Sequence, residues 1–338
     1  MKRPIFLLFI LVALILAACG QGVSNSSGGE SGSTASNSEG SSFPKKEIKF
    51  IVPYPPGGST DTIARLLGEV LPKYLPQEQK VIIENVSGGV GAIGVTKIIN
   101  SKPDGYTIGL SPISPFAVQP HFGEVNYSYD SVQPILEVYS SEGMLVVPSD
   151  SPWNTFEEWL AYVKENPGKF QYATAGSGSL QHIQAEVLSD ATGIDITHVH
   201  YDGLAEVTTA IIGGHVNGAI MQPSQAGEYI KTEQLRPLVY LGTGKSENFT
   251  DVPLLSEVGI DIAMDNFSII FGPKDIPQEI LDILTEAFQK AVKDPKVVEF
   301  IENSGDTVQS TSGEELVEKV ENTYNTAGNA LKASGLLD

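Results

Sequence analysis

The sequence predicts an α/β fold arranged as two lobes, and three observations lead there. Strand-like β-branched runs alternate with helical periods along the chain, the order that builds parallel sheets. Glycine-rich turns stand between several of those strands and the helices that follow. The folded part, residues 45–338, is longer than one hydrophobic core ordinarily serves, so length favours two lobes.

Ahead of it, Lys2 and Arg3 precede an apolar run over residues 5–18, followed at once by Cys19. A positive start, a short apolar stretch and small residues before a cleavage point predict a signal peptide over residues 1–18. The run falls short of the ~20 residues a helix needs to span a bilayer. Leu16-Ala17-Ala18-Cys19 resembles a bacterial lipobox, which makes Cys19 the expected lipidation site. Cys19 is also the only cysteine, so a thioether there leaves no thiol for a disulfide, a metal cluster or a nucleophile. After it the chain to Ser42 is nearly all Ser, Gly, Asn, Glu, Gln and Thr, too polar to offset the entropy of ordering. Residues 19–44 therefore read as a lipidated cysteine plus flexible linker, holding a soluble domain close to any membrane partner. This places the protein on the outer face of the cytoplasmic membrane of a Gram-positive cell, or on the periplasmic side in a Gram-negative one. Losing Lys2 and Arg3 with the signal takes the formal charge from -20 to -22, which argues against binding nucleic acid or anionic lipid.

In the folded part, residues 48–54 read as a strand, and Gly57-Gly58-Ser59-Thr60-Asp61 leads into Ile63, Leu66, Leu67, Val70, Leu71 and Tyr74. That spacing is one helix face, with Ser59 or Thr60 as N-cap. The unit repeats as a strand at 81–84, a glycine-rich turn at 88–94, a helix at 93–99 and a strand at 106–110. A second series begins with a strand at 144–147, then Thr155 and Glu158 at capping-box spacing ahead of Trp159, Leu160 and Val163. Strands at 170–173, 196–201, 216–221 and 235–241 follow, with helices at 180–188 and 205–212. The chain closes with a strand at 267–271, a helix through Ile280, Leu284 and Phe288, and a final helix over 314–331. Trp153, Trp159 and Phe170 are most simply core.

Several blocks, in order, resemble the Bug receptors, the solute-binding subunits of tripartite tricarboxylate transporters. They are Phe50-Ile51-Val52-Pro53-Tyr54 with Gly57 to Asp61 and Ala64-Arg65; Glu84-Asn85 with Gly88-Gly89-Val90-Gly91-Ala92-Ile93-Gly94; Pro103-Asp104-Gly105-Tyr106-Thr107; Tyr172-Ala173-Thr174-Ala175-Gly176-Ser177-Gly178-Ser179 with His182; and Thr197-His198-Val199-His200-Tyr201-Asp202-Gly203. The resemblance implies a two-lobed periplasmic-binding-protein fold of type II-like form, each lobe a mixed or mostly parallel sheet flanked by helices. It implies chain crossings near Val147-Pro148 and near residues 265–267, hence a discontinuous first lobe of 45–147 and 266–338 and a second of 148–265. It also implies a small di- or tricarboxylate or related organic acid as ligand, gripped by the first two strand-to-helix turns, and integral-membrane transporter subunits as partners. Pro55-Pro56 and His200 depart from the family pattern, so the ligand transfers less well than the fold.

The physics of those turns agrees, because glycine lets backbone N–H groups approach a ligand and a helix N-terminus presents donors and partial positive charge to an anion. The expected ligand-binding residues are Tyr54, Gly57, Gly58, Ser59 and Asp61 in the first turn, Gly88, Gly89 and Gly91 in the second, with Ser111, and Ala175, Gly176, Ser177, Ser179, His182 and Tyr201 opposite. Asp61 either orients its turn or caps its helix, and His182 either packs on its helix or touches ligand. No cofactor and a monomeric state are expected, and no metal either, since His198 and His200 lack a third ligand for zinc.

Two enzymatic readings compete. Gly89-Val90-Gly91-Ala92-Ile93-Gly94 fits the dinucleotide fingerprint, but Ser111-Pro112 stands where an acidic residue is expected at the end of the next strand. An exported α/β hydrolase using Ser177 or Ser179 with His182 is the alternative function, although no G-x-S-x-G elbow surrounds either serine. Beyond the signal only two arginines occur, Arg65 and Arg236, and neither position suits a cleft at strand C-termini. An anion would then rest on backbone N–H groups, hydroxyls and water.

Overall fold

A computed structural model describes residues 43–176, 179–201, 203–333, 335 and 337. Strand β1 (Ile48–Val52) leads into α1 (Ser59–Val70), which tightens into a 3-10 turn over Leu71–Tyr74 where Pro72 has no N–H to offer the helix. Next come β2 (Val81–Asn85), α2 (Ala92–Ile99), β3 (Thr107–Pro112), a short α3 (Ser114–Ala117) and β4 (Val132–Ser140). The middle of the chain forms β5 (Met144–Pro148), α4 (Phe156–Glu165), β6 (Gln171–Ala175), α5 (Leu180–Thr192), β7 (Thr197–Tyr201), α6 (Leu204–Ile212), β8 (Gly218–Met221), α7 (Pro223–Lys231) and β9 (Leu235–Tyr240). It closes with β10 (Phe267–Pro273), α8 (Gln278–Ala291), α9 (Pro295–Asn303), β11 (Thr307–Val308) and α10 (Gly313–Ala333).

Two mixed sheets result, in the orders β11-β4-β10-β3-β1-β2 and β7-β6-β8-β5-β9. In the first, β1 runs parallel to β2 and β3, while β10 returns antiparallel between β3 and β4. In the second, β6 is parallel to β7 and β8, and β5 is antiparallel to β8 and β9. Central strands such as β5, β8 and β10 are covered on both faces, which explains why they read as nearly continuous apolar runs, whereas the edge strands β2 and β7 are only partly buried. Successive residues alternate between cores: Phe50 joins Leu67 and Phe288 while Ile51 joins Ile98 and Phe271, and Leu145 and Val147 face Trp159 while Met144 and Val146 face Ile211.

The first crossing between sheets falls at Ser141-Glu142-Gly143, earlier than the expected Val147-Pro148. Met144 to Pro148 pair with β8 and β9 and so belong to the second lobe. Flanked by Gly143 and Pro148, the run has a turn signal at either end, and only its partners decide the side. The return crossing runs through Asp265 and Asn266 into β10. The crossings lie side by side: Ser141 N–H donates to Asn266 O at 2.8 Å, and the Asn266 amide donates back to Ser141 O at 3.0 Å. Helix α10 also joins the lobes, because Leu316, Val320 and Leu331 share one core with Phe116 of α3 and with Leu180, Ile183 and Val187 of α5.

Sequence reasoning missed β4, α7, α9 and β11. In β4, Pro134 breaks the strand pattern, and the pairing with β10 shifts register between Leu136 and Pro134, an irregularity that accommodates the missing N–H. The expected caps of α1 also differ: the N-cap is Gly58, and Ser59 and Thr60 lie inside the first turn. The signal peptide, Cys19 and the linker up to Ser42 lie outside the described residues.

Candidate functional site

Between the two sheets lies a cleft of about 480 Å³, within the range of small-molecule sites. Six helices begin on it. Ser59 stands in the first turn of α1, Val90 in the turn before α2, and Ser114 at the start of α3; Ser179 to Gln181 open α5, Leu204 opens α6, and Gln222, Ser224 and Gln225 open α7. The C-terminal ends of β1, β2, β3, β6, β7 and β8 deliver these starts to one crevice, where ligands bind in open α/β sheets. Among the described lining residues none is Lys or Arg, and the one formally charged side chain is Asp306. Helix ends therefore supply the positive potential that cations would otherwise supply.

The first turn is held by a buried network. Gly57 N–H donates to Asp61 Oδ2 at 2.9 Å, Arg65 reaches both Asp61 oxygens at 3.0 and 2.9 Å, and Asn85 Nδ2 donates to Asp61 Oδ1 at 2.9 Å and to Tyr54 O at 3.1 Å. Burial pushes the Asp61 carboxyl up, but Arg65, Gly57 and Asn85 together outweigh it and hold it below the ordinary aspartate value. Asp61 and the Gly57 N–H are thus engaged with each other and brace the turn. The first turn of α1 keeps its N–H groups without a side-chain cap.

The second turn has four successive residues at positive φ: Gly88 at 132°, Gly89 at 56°, Val90 at 52° and Gly91 at 95°. Gly91 N–H closes on Gly88 O at 3.1 Å, so it too is unavailable to a ligand. A Cβ on Gly91 would stand 3.1 Å from both the Tyr54 hydroxyl and Pro115 Cγ, so this glycine seats Tyr54. Burial raises the Tyr54 hydroxyl above the ordinary tyrosine value, with a hydrogen bond to Ser111 acting against it. Ser111 itself is fully buried beneath the cleft.

On the second lobe, Ser179 lines the cleft while its hydroxyl accepts the His182 N–H at 3.3 Å. Gly176, at φ 99°, would leave an added Cβ in open space. Ala175 ends β6 just before it, and Ser177 lies outside the described residues. His182 is 4% exposed, stacked on His198 with centroids 3.8 Å apart and 3.4 Å from Glu186, and does not line the cleft. His198 contacts the Thr174 hydroxyl at 2.6 Å, which donates to Gly176 O at 3.1 Å. Burial first, then His182 and His200, lowers the His198 pKa to about 4. Tyr201 lines a separate concavity of about 320 Å³ with Ala205 and His215. A larger hollow of about 830 Å³ lies over the β2 edge among Lys46, Glu84 and Lys102, away from every helix start. Arg236 donates to the carbonyls of Ser149 and Trp153 at 2.6 and 2.9 Å, remote from the cleft as expected.

Of the residues expected from sequence, Tyr54, Ser59 and Ser179 line the cleft directly. Sequence reasoning missed Tyr139, Ser141, Gln181, Gln222, Gln225, Asn266, Ser268 and Asp306. Gln222-Pro223 carried a usable signal, a proline at the first position of a helix after a strand.

The model of the tripartite tricarboxylate transporter family receptor matches residues 63–336. A UPF0065 protein of Bordetella pertussis is 30% identical over 304 residues, covering 89% of this chain and 94% of that protein. Protein BugT of the same organism is 30% identical over 269 residues, covering 78% and 82%. The crystal structure of a TctC solute-binding protein from Polaromonas superposes with a TM-score of 0.80 at 29% identity, covering 86% of this chain and 99% of that one. With two sheets, paired crossings and helix starts converging on one cleft, the chain belongs to the TctC family, the solute-binding receptors of tripartite tricarboxylate transporters.

Proposed function

We propose that this receptor takes a small carboxylated solute into the cleft outside the cell, closes its lobes on it and hands it to the membrane subunits of a tripartite tricarboxylate-type transporter. The observation that supports this reading is six helix starts aimed at a cleft whose described lining has no cationic side chain. Such a surface favours an anion compact enough to reach several N-termini at once, and a carboxylate is the smallest organic group that does so. Tyr54, Ser59 and Ser179 would touch the solute; Asp61, Gly57 and Gly91 would hold the donors in place. A lipid anchor on Cys19 would keep the monomer near its transporter on the outer face of the cytoplasmic membrane.

Thermal-shift measurements with a panel of organic acids and the neutral amides of the same acids test the ligand. Acids should raise Tm, by about 2.7 kcal/mol of stabilisation at a hundredfold the Kd. Equal shifts from the amides would remove the anion from the reading, and turnover of ester or amide probes would make the chain a hydrolase. Cys19→Ser should release the protein from membranes; unchanged detergent-dependent association would contradict the anchor.

A further inference from the structure

Asp306 has no obvious place in a site built for anions. It sits between α9 and β11, is 8% exposed, and lines the cleft. One carboxylate oxygen accepts a very short hydrogen bond from the Ser141 hydroxyl. It has no ion-pair partner among the described residues: Lys245, whose carbonyl accepts from the adjacent Thr307, gives its ammonium to Glu257 at 2.7 Å, and Lys319 serves Glu137 and Asp265. Burial lifts the Asp306 carboxyl to about 6, with the Ser141 hydrogen bond opposing. The titratable group facing it from β4 is Tyr139, which is itself raised by burial and by Asp306. Gly305, at φ 83°, passes close to Pro223 and the Ser224 N–H at the start of α7, which fixes the loop that carries Asp306.

A carboxylate more than nine-tenths buried and lacking a protein cation carries its charge at a cost, which a cation brought by the ligand would offset. A plain dicarboxylate would add like charge beside it. We propose that Asp306 is the counter-ion for a cationic group of the solute, so that the ligand is zwitterionic: its carboxylate lies on the helix N-termini and its ammonium on Asp306. Asn266 and Gln222 line the same cleft, the Gln222 side-chain carbonyl already accepting from Gln181 Nε2 at 3.3 Å. This rests on the carboxylate reading above and narrows its ligand class.

Calorimetry at pH 7.5 on the full chain with matched triads tests it: amino acids, the deamino acid of each, and the decarboxylated amine of each. In the best-binding triad the amino acid should exceed its deamino acid by tenfold or more, and Asp306→Asn should remove that preference while leaving the deamino acid unchanged or tighter. Should Asp306→Asn fold poorly, the wild-type preference within triads decides alone. A deamino acid binding at least as tightly as its amino acid, and tightening as pH falls through about 6, would overturn the inference and make Asp306 a protonated donor to a second carboxylate. An amine binding as tightly as its amino acid would keep Asp306 as counter-ion but overturn the carboxylate reading. Binding by no member of any triad overturns both.

Discussion

The two lobes present their helix starts to the cleft in different chemical states. On the first lobe α1 and α2 begin at Gly58 and Gly91, and neither receives a side-chain cap. On the second lobe α5 is capped by the Ser179 hydroxyl and α7 by a Gln222–Gln225 box, while α6, starting at Gly203, resembles the first lobe. A capped start has already placed one of its orphan donors, whereas an uncapped one offers its donors to whatever enters. On the proposed reading, the first lobe would hold charge with backbone and the second would read shape and hydrogen bonding with hydroxyls and amides. Glycine serves the turns of both lobes. In the first lobe's turns Gly57, Gly88 and Gly89 take positive φ, and in the second lobe Gly176 does so just before α5.

The largest expected effect follows from how the first turn is braced. Asp61→Ala removes a buried carboxylate that satisfies Gly57, Asn85 and Arg65 together. Denaturant unfolding should show a loss of about 3 kcal/mol, the range for breaking a buried charged network. Affinity for the cognate acid should fall with it. Arg65→Ala should cost less, because the Arg65 side chain is about half exposed and water replaces part of what it gives. A loss below about 1 kcal/mol for Asp61→Ala would mean the turn holds its shape without the network, and the contrast between lobes would weaken.

The second effect separates the lobes by pH. Asp306 on the first lobe has a folded pKa raised from 3.8 to about 6, so stability is fully present below the unfolded value and lost as pH rises through about 6. His198 on the second has a folded pKa lowered from 6.5 to about 4, so stability is present above the unfolded value and lost as pH falls toward 4. The two act in overlapping windows with opposite sign. Asp306→Asn should stabilise the ligand-free protein at pH 7.5 by about 2–3 kcal/mol and give little at pH 4. His198→Asn should flatten the loss between pH 6.5 and 4. Stability curves of the variants that parallel the wild type across these windows would show that neither group titrates as its surroundings imply.

The fold was largely legible in the sequence because most elements are buried and periodic. β1, β2, α2, α5, α6 and α10 lie within a few residues of where apolar spacing puts them. What escaped was set by tertiary partners. β4 carries Pro134 and Glu137, and only an irregular pairing with β10 and the Lys319 ammonium, 2.8 Å from Glu137, make those residues acceptable in a buried strand. The site was legible as turns but not as a lining: Ser141 and Asn266 belong to the crossings and Asp306 to a loop far along the chain, and no local pattern ties them to Tyr54. Asp61 and His182 carried the right residue types for ligand contact, yet burial turns both inward.

A smaller effect tests the second lobe. Ser179→Ala deletes a cap as well as a cleft hydroxyl, and should cost about 1 kcal/mol of stability. If the second lobe reads hydrogen bonding, discrimination among related acids should change more than the affinity common to all of them. Uniform weakening across a panel would instead assign this lobe the same charge-holding role as the first.

The smallest expected change in stability, and the most direct view of ligand contact, comes from Val90. A β-branched residue at φ 52° and ψ 36° is held against its preference, at a cost of order 1–3 kcal/mol. Glycine would relieve that strain but would enlarge the unfolded ensemble, a loss of roughly 0.4–1 kcal/mol. With its side chain 61% exposed, Val90 contributes little packing to offset the difference, so Val90→Gly should leave stability unchanged or slightly raised. A strained valine kept where three glycines surround it then has its use at the cleft, where it and the 39% exposed Leu204 of α6 are apolar members of the lining from opposite lobes. Together they can cover the hydrocarbon part of a solute whose polar ends are held elsewhere. Val90→Gly and Leu204→Ala should each weaken binding several-fold, and in the double variant the two losses should fall short of additive if both grip one ligand segment. A clear drop in Tm for Val90→Gly with unaltered affinity would reverse this assignment and make the side chain a brace for the turn.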